Sequence, residues 1–289
     1  MIKAQDILFT YPGSKTPTLE NISFSIEKGK VLGFLGPSGS GKSTTQKILI
    51  KLLNGYKGHI DILEKPLEKW GSDLYNFIGV CFELPNHYMK LTAKENLQFF
   101  SSFFSVPTLA PLELLEMVGL QEDANKRVSS FSKGMKNRLN FARALLNDPP
   151  VLFFDEPTSG LDPTNARVMK DIILDLRDKG RTIFITTHNM FDADELCDEV
   201  AFLSEGNIAA LDTPKALKTL HGKQTVSIEW GENDELFQET FDMENIGENE
   251  EFFKVIQTGQ LRSIHSNEAT LESVFIKVTG KSLRDEKPF

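Results

Sequence analysis

Apolar and polar positions along this chain change period several times, and those changes divide it. Ile7 to Tyr11 and Leu19 to Ile26 are short apolar-rich stretches separated by the turn-forming PGSKTP, and they predict two strands. Val31 to Leu35 predicts a third strand, which ends in glycine and is followed by a helix over Ser43 to Leu53. Ile60 to Leu63 and Ile78 to Phe82 are further strand candidates. From Thr92 the spacing turns helical: Thr92 with Glu95 forms a capping box, and Leu97, Phe100 and Phe104 recur at helical spacing. Leu112 to Val118 and Asn137 to Leu146 continue in the same way, giving a mostly helical insert over residues 85–147. Strands return at Val151 to Phe154 and Thr182 to Thr186. Between them Asp162, with Pro163 at the first helical position, starts a helix carrying Val168, Ile172 and Leu176. Strands alternating with helices predict a parallel sheet covered by helices. A last piece from Gly222 predicts a strand (Thr225 to Trp230), a helix (Leu236 to Phe241), a strand (Phe252 to Ile256) and a helix (Thr270 to Thr279). Its polar ENIGENEE stretch reads as an exposed loop or hinge.

Composition narrows the partners. The 289 residues suffice for one large domain and a small appendage. With 32 basic against 41 acidic residues the net charge is -9, which argues against a nucleic-acid partner. No apolar run approaches the roughly 18 residues that cross a bilayer, and the opening MIKAQDILFTYPG lacks a secretory pattern. The chain is expected to be soluble by itself, with any membrane attachment supplied by a partner. Cys81 and Cys197 are read as inert packing thiols.

The chemistry concentrates in a few segments. Residues 36–43 read GPSGSGKS, a full match to the phosphate-loop pattern, with a strand before it and a helix after it. Gly36, Gly39 and Gly41 let backbone amides converge on phosphate around Pro37, Ser38 and Ser40, and the helix that follows turns its positive end to the same oxygens. In this reading Lys42 reaches the β- and γ-phosphates of ATP, the Ser43 hydroxyl ligates Mg2+, and Thr44 belongs to the same cradle. VLFFDE, residues 151–156, sets two carboxylates at a strand end. Alone such a pair marks a loop; beside a phosphate loop, Asp155 is suited to hold Mg2+ and Glu156 to polarise the attacking water. His188 follows the apolar strand TIFIT and is either a surface residue or a γ-phosphate sensor. Tyr11 is either a core aromatic or a stacking surface for adenine.

Taken together these segments resemble the nucleotide-binding domain of ABC transporters, in the right order over residues 1–220. GPSGSGKST resembles the family's phosphate loop, VLFFDEP its acidic strand, SGLD (159–162) its dimer-facing loop and TTH its switch histidine, with Tyr11 at the adenine-stacking position. The resemblance implies a head-to-tail dimer, homodimeric or heterodimeric, with ATP held between one subunit's phosphate loop and the other's signature peptide. FSKGM (131–135) stands where the family's commonest form is LSGGQ. Ser132 and Gly134 match the positions that bond the opposing γ-phosphate, while Lys133 either adds charge there or faces solvent. Glu83 occupies the place of a family glutamine that contacts magnesium; it keeps an oxygen ligand and loses two donors. SFSKGMKNRL and the tail ATLESVFIKVTGKSLRD are similar to the ABC-2 type drug and lipid exporter branch.

The expected fold is therefore α/β: a P-loop NTPase core with a parallel sheet, an antiparallel β subdomain and a helical insert, plus a small α+β C-terminal extension. The expected domains are residues 1–221, binding ATP, and residues 222–289, an accessory domain. The expected function is MgATP hydrolysis coupled to export through integral membrane permease subunits, at the cytoplasmic face of the cell membrane. The competing readings are a non-hydrolysing ATP-binding regulatory subunit, and a soluble ATPase acting on ribosomes or DNA.

Overall fold

The computed structural model describes residues 1–232, 235–258, 260–267 and 269–281. They form two compact units that divide between Leu211 and Asp212. The first begins with β1 (Ile2–Phe9), β2 (Leu19–Ile26), β3 (Val31–Leu35), α1 (Lys42–Leu49), β4 (Lys57–Ile62), β5 (Lys65–Pro66) and β6 (Ile78–Cys81). The helical insert supplies α2 (Ala93–Ser101), α3 (Pro111–Met117) and α4 (Lys133–Ala144). Then come β7 (Val151–Asp155), α5 (Pro163–Asp178), β8 (Thr182–Thr187), α6 (Met190–Leu196), β9 (Glu199–Ser204) and β10 (Asn207–Asp212).

Two sheets result. One is six-stranded, ordered β10-β9-β3-β8-β7-β6, with β9, β3, β8, β7 and β6 parallel. The other is four-stranded and antiparallel, ordered β2-β1-β4-β5. Their residue patterns differ as their environments do. β3 and β8 are buried at every position, as parallel strands covered on both faces must be, whereas β2 alternates buried and exposed positions. A core cluster spans both sheets, and Phe24, Phe34, Phe153 and Phe184 stack within it, with Phe34 and Phe184 centroids 4.8 Å apart.

Most of the predicted strands and helices are present, including the Thr92–Glu95 capping box, with both of its reciprocal hydrogen bonds. β1 starts five residues before the predicted Ile7 and stops at Phe9, leaving Tyr11 beyond the strand. Asp6 is left-handed at φ 53° and the register shifts between Ala4 and Ile7, so a bulge breaks the alternation on which the sequence reading relied. Cys81 and Cys197 are both buried, and burial pushes the Cys81 thiol up to about 12, out of the reactive range. Among the described residues no helix is long and apolar enough to cross a membrane.

The second unit contains α7 (Pro214–His221), β11 (Thr225–Glu232), β12 (Glu235–Asp242), α8 (Glu250–Thr258), β13 (Gln260–Asn267) and α9 (Leu271–Thr279). It forms an antiparallel sheet in the order β12-β11-β13, and α7 packs against α9. Two sequence expectations are reversed here. The segment predicted as a helix over Leu236 to Phe241 is strand β12, because Phe237 and Phe241 pair across the sheet with Trp230 and Val226. The segment predicted as a strand over Phe252 to Ile256 is helix α8, whose Phe252, Val255 and Ile256 lie at helical spacing on the same apolar cluster. Both are short apolar runs, for which period alone does not separate strand from helix. β13 was not anticipated, and the end of ENIGENEE is already helical, since Glu250 and Glu251 open α8. The last part of the tail motif, SLRD, lies outside the described residues.

Candidate active site

In the six-stranded sheet, β3, β6, β7 and β8 run parallel, and the segments leaving their C-terminal ends carry the candidate residues. Beyond β3 the chain turns at Gly39 (φ 79°) and Gly41 (φ 111°), a region of backbone space that other residues rarely occupy. A methyl group on Gly41 would lie 2.5 Å from Leu19, so the turn needs glycine sterically as well. Gly41 also caps α1 without any side-chain bond, and no acidic residue stands in the first turn. The amides there remain free for an anion.

A cleft of about 650 Å³ opens at this turn. Its walls include Tyr11, Pro37, Ser38, Gly39, Gly41, Lys42, Ser43, Thr44, Glu83, Asp155, Glu156 and His188. Twelve predicted residues from five separate segments thus converge on one space. Four others do not line it. Gly36 packs against the Leu203 carbonyl, and Ser40 is buried within the loop. Ser132 caps α4 by accepting from the Met135 amide at 3.2 Å, and Gly134 packs against Leu161.

Lys42 is buried and donates from Nζ to the carbonyls of Gly36 (2.6 Å) and Pro37 (3.0 Å). Burial holds its ammonium below the ordinary lysine value, against the pull of Glu156, Asp155 and Glu83. On the opposite wall, Asp155 pairs in register with Thr186 and accepts a hydrogen bond from its hydroxyl. Glu156 accepts from the Thr187 hydroxyl at 3.1 Å through one oxygen, and its other oxygen lies 2.7 Å from His188 Nδ1. Burial raises the pKa of both carboxyls; Thr186 and Lys42 oppose this at Asp155, and His188 opposes it at Glu156. Glu156 is also left-handed at φ 50°, with its amide fixed to the Thr186 carbonyl at 2.9 Å. A non-glycine residue held there carries backbone strain of the kind found at functional positions.

Sequence reasoning missed Thr18, which lines the cleft, and the hydroxyls of Thr186 and Thr187, which hold the two carboxylates. The signal for the last two lay in strand register. Adjacent threonines at the end of TIFITT stand beside the adjacent acids of VLFFDE.

Comparison with known proteins agrees with this geometry. Residues 19–159 match the ABC transporter family model, and residues 224–268 match the fluoroquinolone efflux ABC transporter C-terminal domain. The fluoroquinolones export ATP-binding protein of Mycobacterium tuberculosis is 49% identical, over 98% of this chain and 94% of its own length. This chain belongs to the ABC transporter family. Within that family it is an ATP-hydrolysing, ATP-binding subunit. The Nod factor export ATP-binding protein I of Burkholderia orbicola is 33% identical over 92% of this chain and 93% of its own length. Among solved structures, the dimeric post-hydrolysis ATP-binding cassette MJ0796, bound to ADP and Pi, superposes with a TM-score of 0.68 at 27% identity. The match covers 74% of this chain and 98% of that one.

Proposed function

We propose that this ABC subunit hydrolyses MgATP in the cleft as one half of a head-to-tail dimer and drives drug export through separate permease subunits, fluoroquinolones being the first candidate substrate. The observation that carries this reading is the meeting of Lys42, Asp155, Glu156 and His188 in one cleft beside the turn at Gly39 and Gly41. Lys42 exchanges its loop carbonyls for β- and γ-phosphate oxygens, and Tyr11, whose hydroxyl is 3.1 Å from that of Thr44, offers its ring to adenine. Ser43, Asp155 and Glu83 present only oxygen donors, a set that suits a hard cation. Magnesium keeps waters and phosphate oxygens in its shell, so a few protein oxygens suffice to hold it. When bound, the ion neutralises charge developing on the transferred phosphoryl group. Glu156 takes the proton of the attacking water, and His188 holds the Glu156 carboxylate and senses the γ-phosphate. Ser132 and Gly134, outside this cleft, serve the partner's nucleotide. Residues 1–211 act as the ATP-binding domain and the second unit, which begins at Asp212 and not at the expected residue 222, as an accessory domain.

The permease docks on the same unit in this proposal. A second cleft of about 650 Å³ is lined by Tyr75, Phe82, Phe100, Phe103 and Arg143, and the Arg143 guanidinium lies 4.5 Å over the Phe100 ring. Exposed Tyr88 and Phe99, stacked edge-to-face at 4.6 Å, add to the apolar surface of the same insert. Phe82, in this second cleft, is chain neighbour to Glu83 in the first, so a docked segment reaches the nucleotide within one residue.

Deleting the gene is expected to raise the fluoroquinolone retained by intact cells, and the wild-type gene to restore efflux. Equal retention in both strains would remove the drug assignment and leave the ATPase untouched. A pH profile tests the base. Because burial raises the pKa of Glu156, the acid limb of kcat/KM is expected above the ordinary glutamate range, with activity lost as pH falls through it. His188→Ala removes the partner that draws this pKa down and is expected to move the limb further up. An unmoved limb would separate His188 from the base.

A further inference from the structure

Glu156 and His188 leave the sheet on adjacent strands, β7 and β8, whose last contacts there are the bond from the Glu156 amide to the Thr186 carbonyl and those of the Glu156 carboxylate with Thr187 and His188. Beyond that point a separate contact holds the two exits together. Thr158, two residues past Glu156, donates its hydroxyl to Asp192 at 2.5 Å. Asp192 is buried in the first turn of α6, the helix that Asn189 starts by accepting from the amides of Phe191 and Asp192. The other Asp192 oxygen pairs with Lys170 Nζ at 3.1 Å, and the two side chains are only 9% and 16% exposed. Lys170 lies on α5, the helix that follows the Ser159–Asp162 loop, and it also binds Glu195 at 2.6 Å. One carboxylate therefore ties together the exit of β7, the start of α6 and the body of α5.

Neither Thr158, Asp192 nor Lys170 lines the nucleotide cleft. Their energetic role is nonetheless directed at it. A buried ion pair adds little net stability, but losing one partner strands the other charge in a poorly solvated place. Such pairs serve where geometry must be held, and displacements of about 1 Å from remote changes cost about 100-fold in rate. We propose that Thr158 and Asp192 are positioning residues that fix the Glu156 carboxylate and His188 with respect to the γ-phosphate. This rests on the assignment of Glu156 as the base.

The test uses the full-length chain and steady-state hydrolysis of MgATP. Thr158→Val keeps the shape and loses the donor; it is expected to lower kcat about tenfold while KM for MgATP changes less than about twofold. Thr158→Ser, which restores a hydroxyl, is expected to recover most of kcat. Asp192→Ala also unpairs Lys170 and is expected to lower kcat at least as far as Thr158→Val, and the double variant to fall no further than Asp192→Ala, since the bond to Thr158 is already lost there. Melting curves identify any variant that is misfolded; Thr158→Val and Thr158→Ser then decide alone. Wild-type kcat in Thr158→Val, a serine variant as slow as the valine one, or multiplicative losses in the double variant would overturn the proposal. Glu156→Gln run alongside separates the two claims. Full turnover there sinks the base assignment, whereas a dead Glu156→Gln beside an unaffected Thr158→Val sinks only the positioning role.

Discussion

Glu156→Gln is expected to lower kcat for MgATP by about 10²- to 10⁴-fold, the range set by loss of a general base, with nucleotide affinity retained. Glutamine has the volume of glutamate and can still accept from Thr187, so the contact at 3.1 Å survives. What it lacks is a carboxylate able to take the proton from water. Nothing in the phosphate turn changes, because Lys42 bonds to the carbonyls of Gly36 and Pro37, not to Glu156. ATP therefore binds and is not consumed. If the cleft is completed by Ser132 and Gly134 of a second copy, the uncleaved nucleotide keeps two chains together. Light scattering in saturating MgATP is then expected to read twice the monomer mass for the variant, and phosphate release in a single turnover to be almost absent. A monomeric variant under those conditions would remove the head-to-tail scheme. Wild-type phosphate release would remove Glu156 as the base.

The parts of this site that sequence made legible are those in which local chain geometry is itself the function. Gly39 and Gly41 announce a turn that only glycine tolerates, and the structure finds both in left-handed backbone. Asp155 and Glu156 stand out because charges at the end of the buried run VLFF are costly without a partner. Thr186 and Thr187 were not legible for the opposite reason. A β-branched hydroxyl in a fully buried strand reads as packing, and only the pairing of β7 with β8 shows what it bonds. Thr158 and Asp192 lie further from view still, 34 residues apart in the chain and joined only by the fold. Ser40 is buried within the turn and does not line the cleft. In the second unit, Phe237 and Phe241 against Phe252 and Ile256 defeated period analysis because each run is too short to fix its own conformation. Pairing with β11 decided the first, and packing against the apolar cluster accompanies the second.

Lys42→Met is expected to weaken MgATP binding by about 10- to 150-fold, the loss of about 1.5–3 kcal/mol that accompanies a hydrogen bond to a charged group. The same substitution is expected not to lower the melting temperature of the nucleotide-free protein. The second half follows from the first chemical fact about this residue: burial depresses the Lys42 pKa. A lysine whose folded pKa lies below its unfolded value opposes folding at pH 7, where both states are protonated, and stops opposing it only once pH rises past the unfolded value. Methionine keeps most of the side-chain volume and removes that charge, at the expense of two bonds to loop carbonyls. The cleft would then hold Glu83, Asp155 and Glu156 without the lysine, a wall that repels a polyphosphate. Thermal melts in a MgATP titration read both effects at once. Wild-type protein is expected to gain stability as ligand rises, following RT ln(1 + [L]/Kd), and the variant to start no lower and scarcely move. A lysine kept for architecture would give the reverse: a lower starting temperature and an undiminished rise with MgATP. The two readings of Lys42 thus differ in the sign of one measurement and the slope of the other.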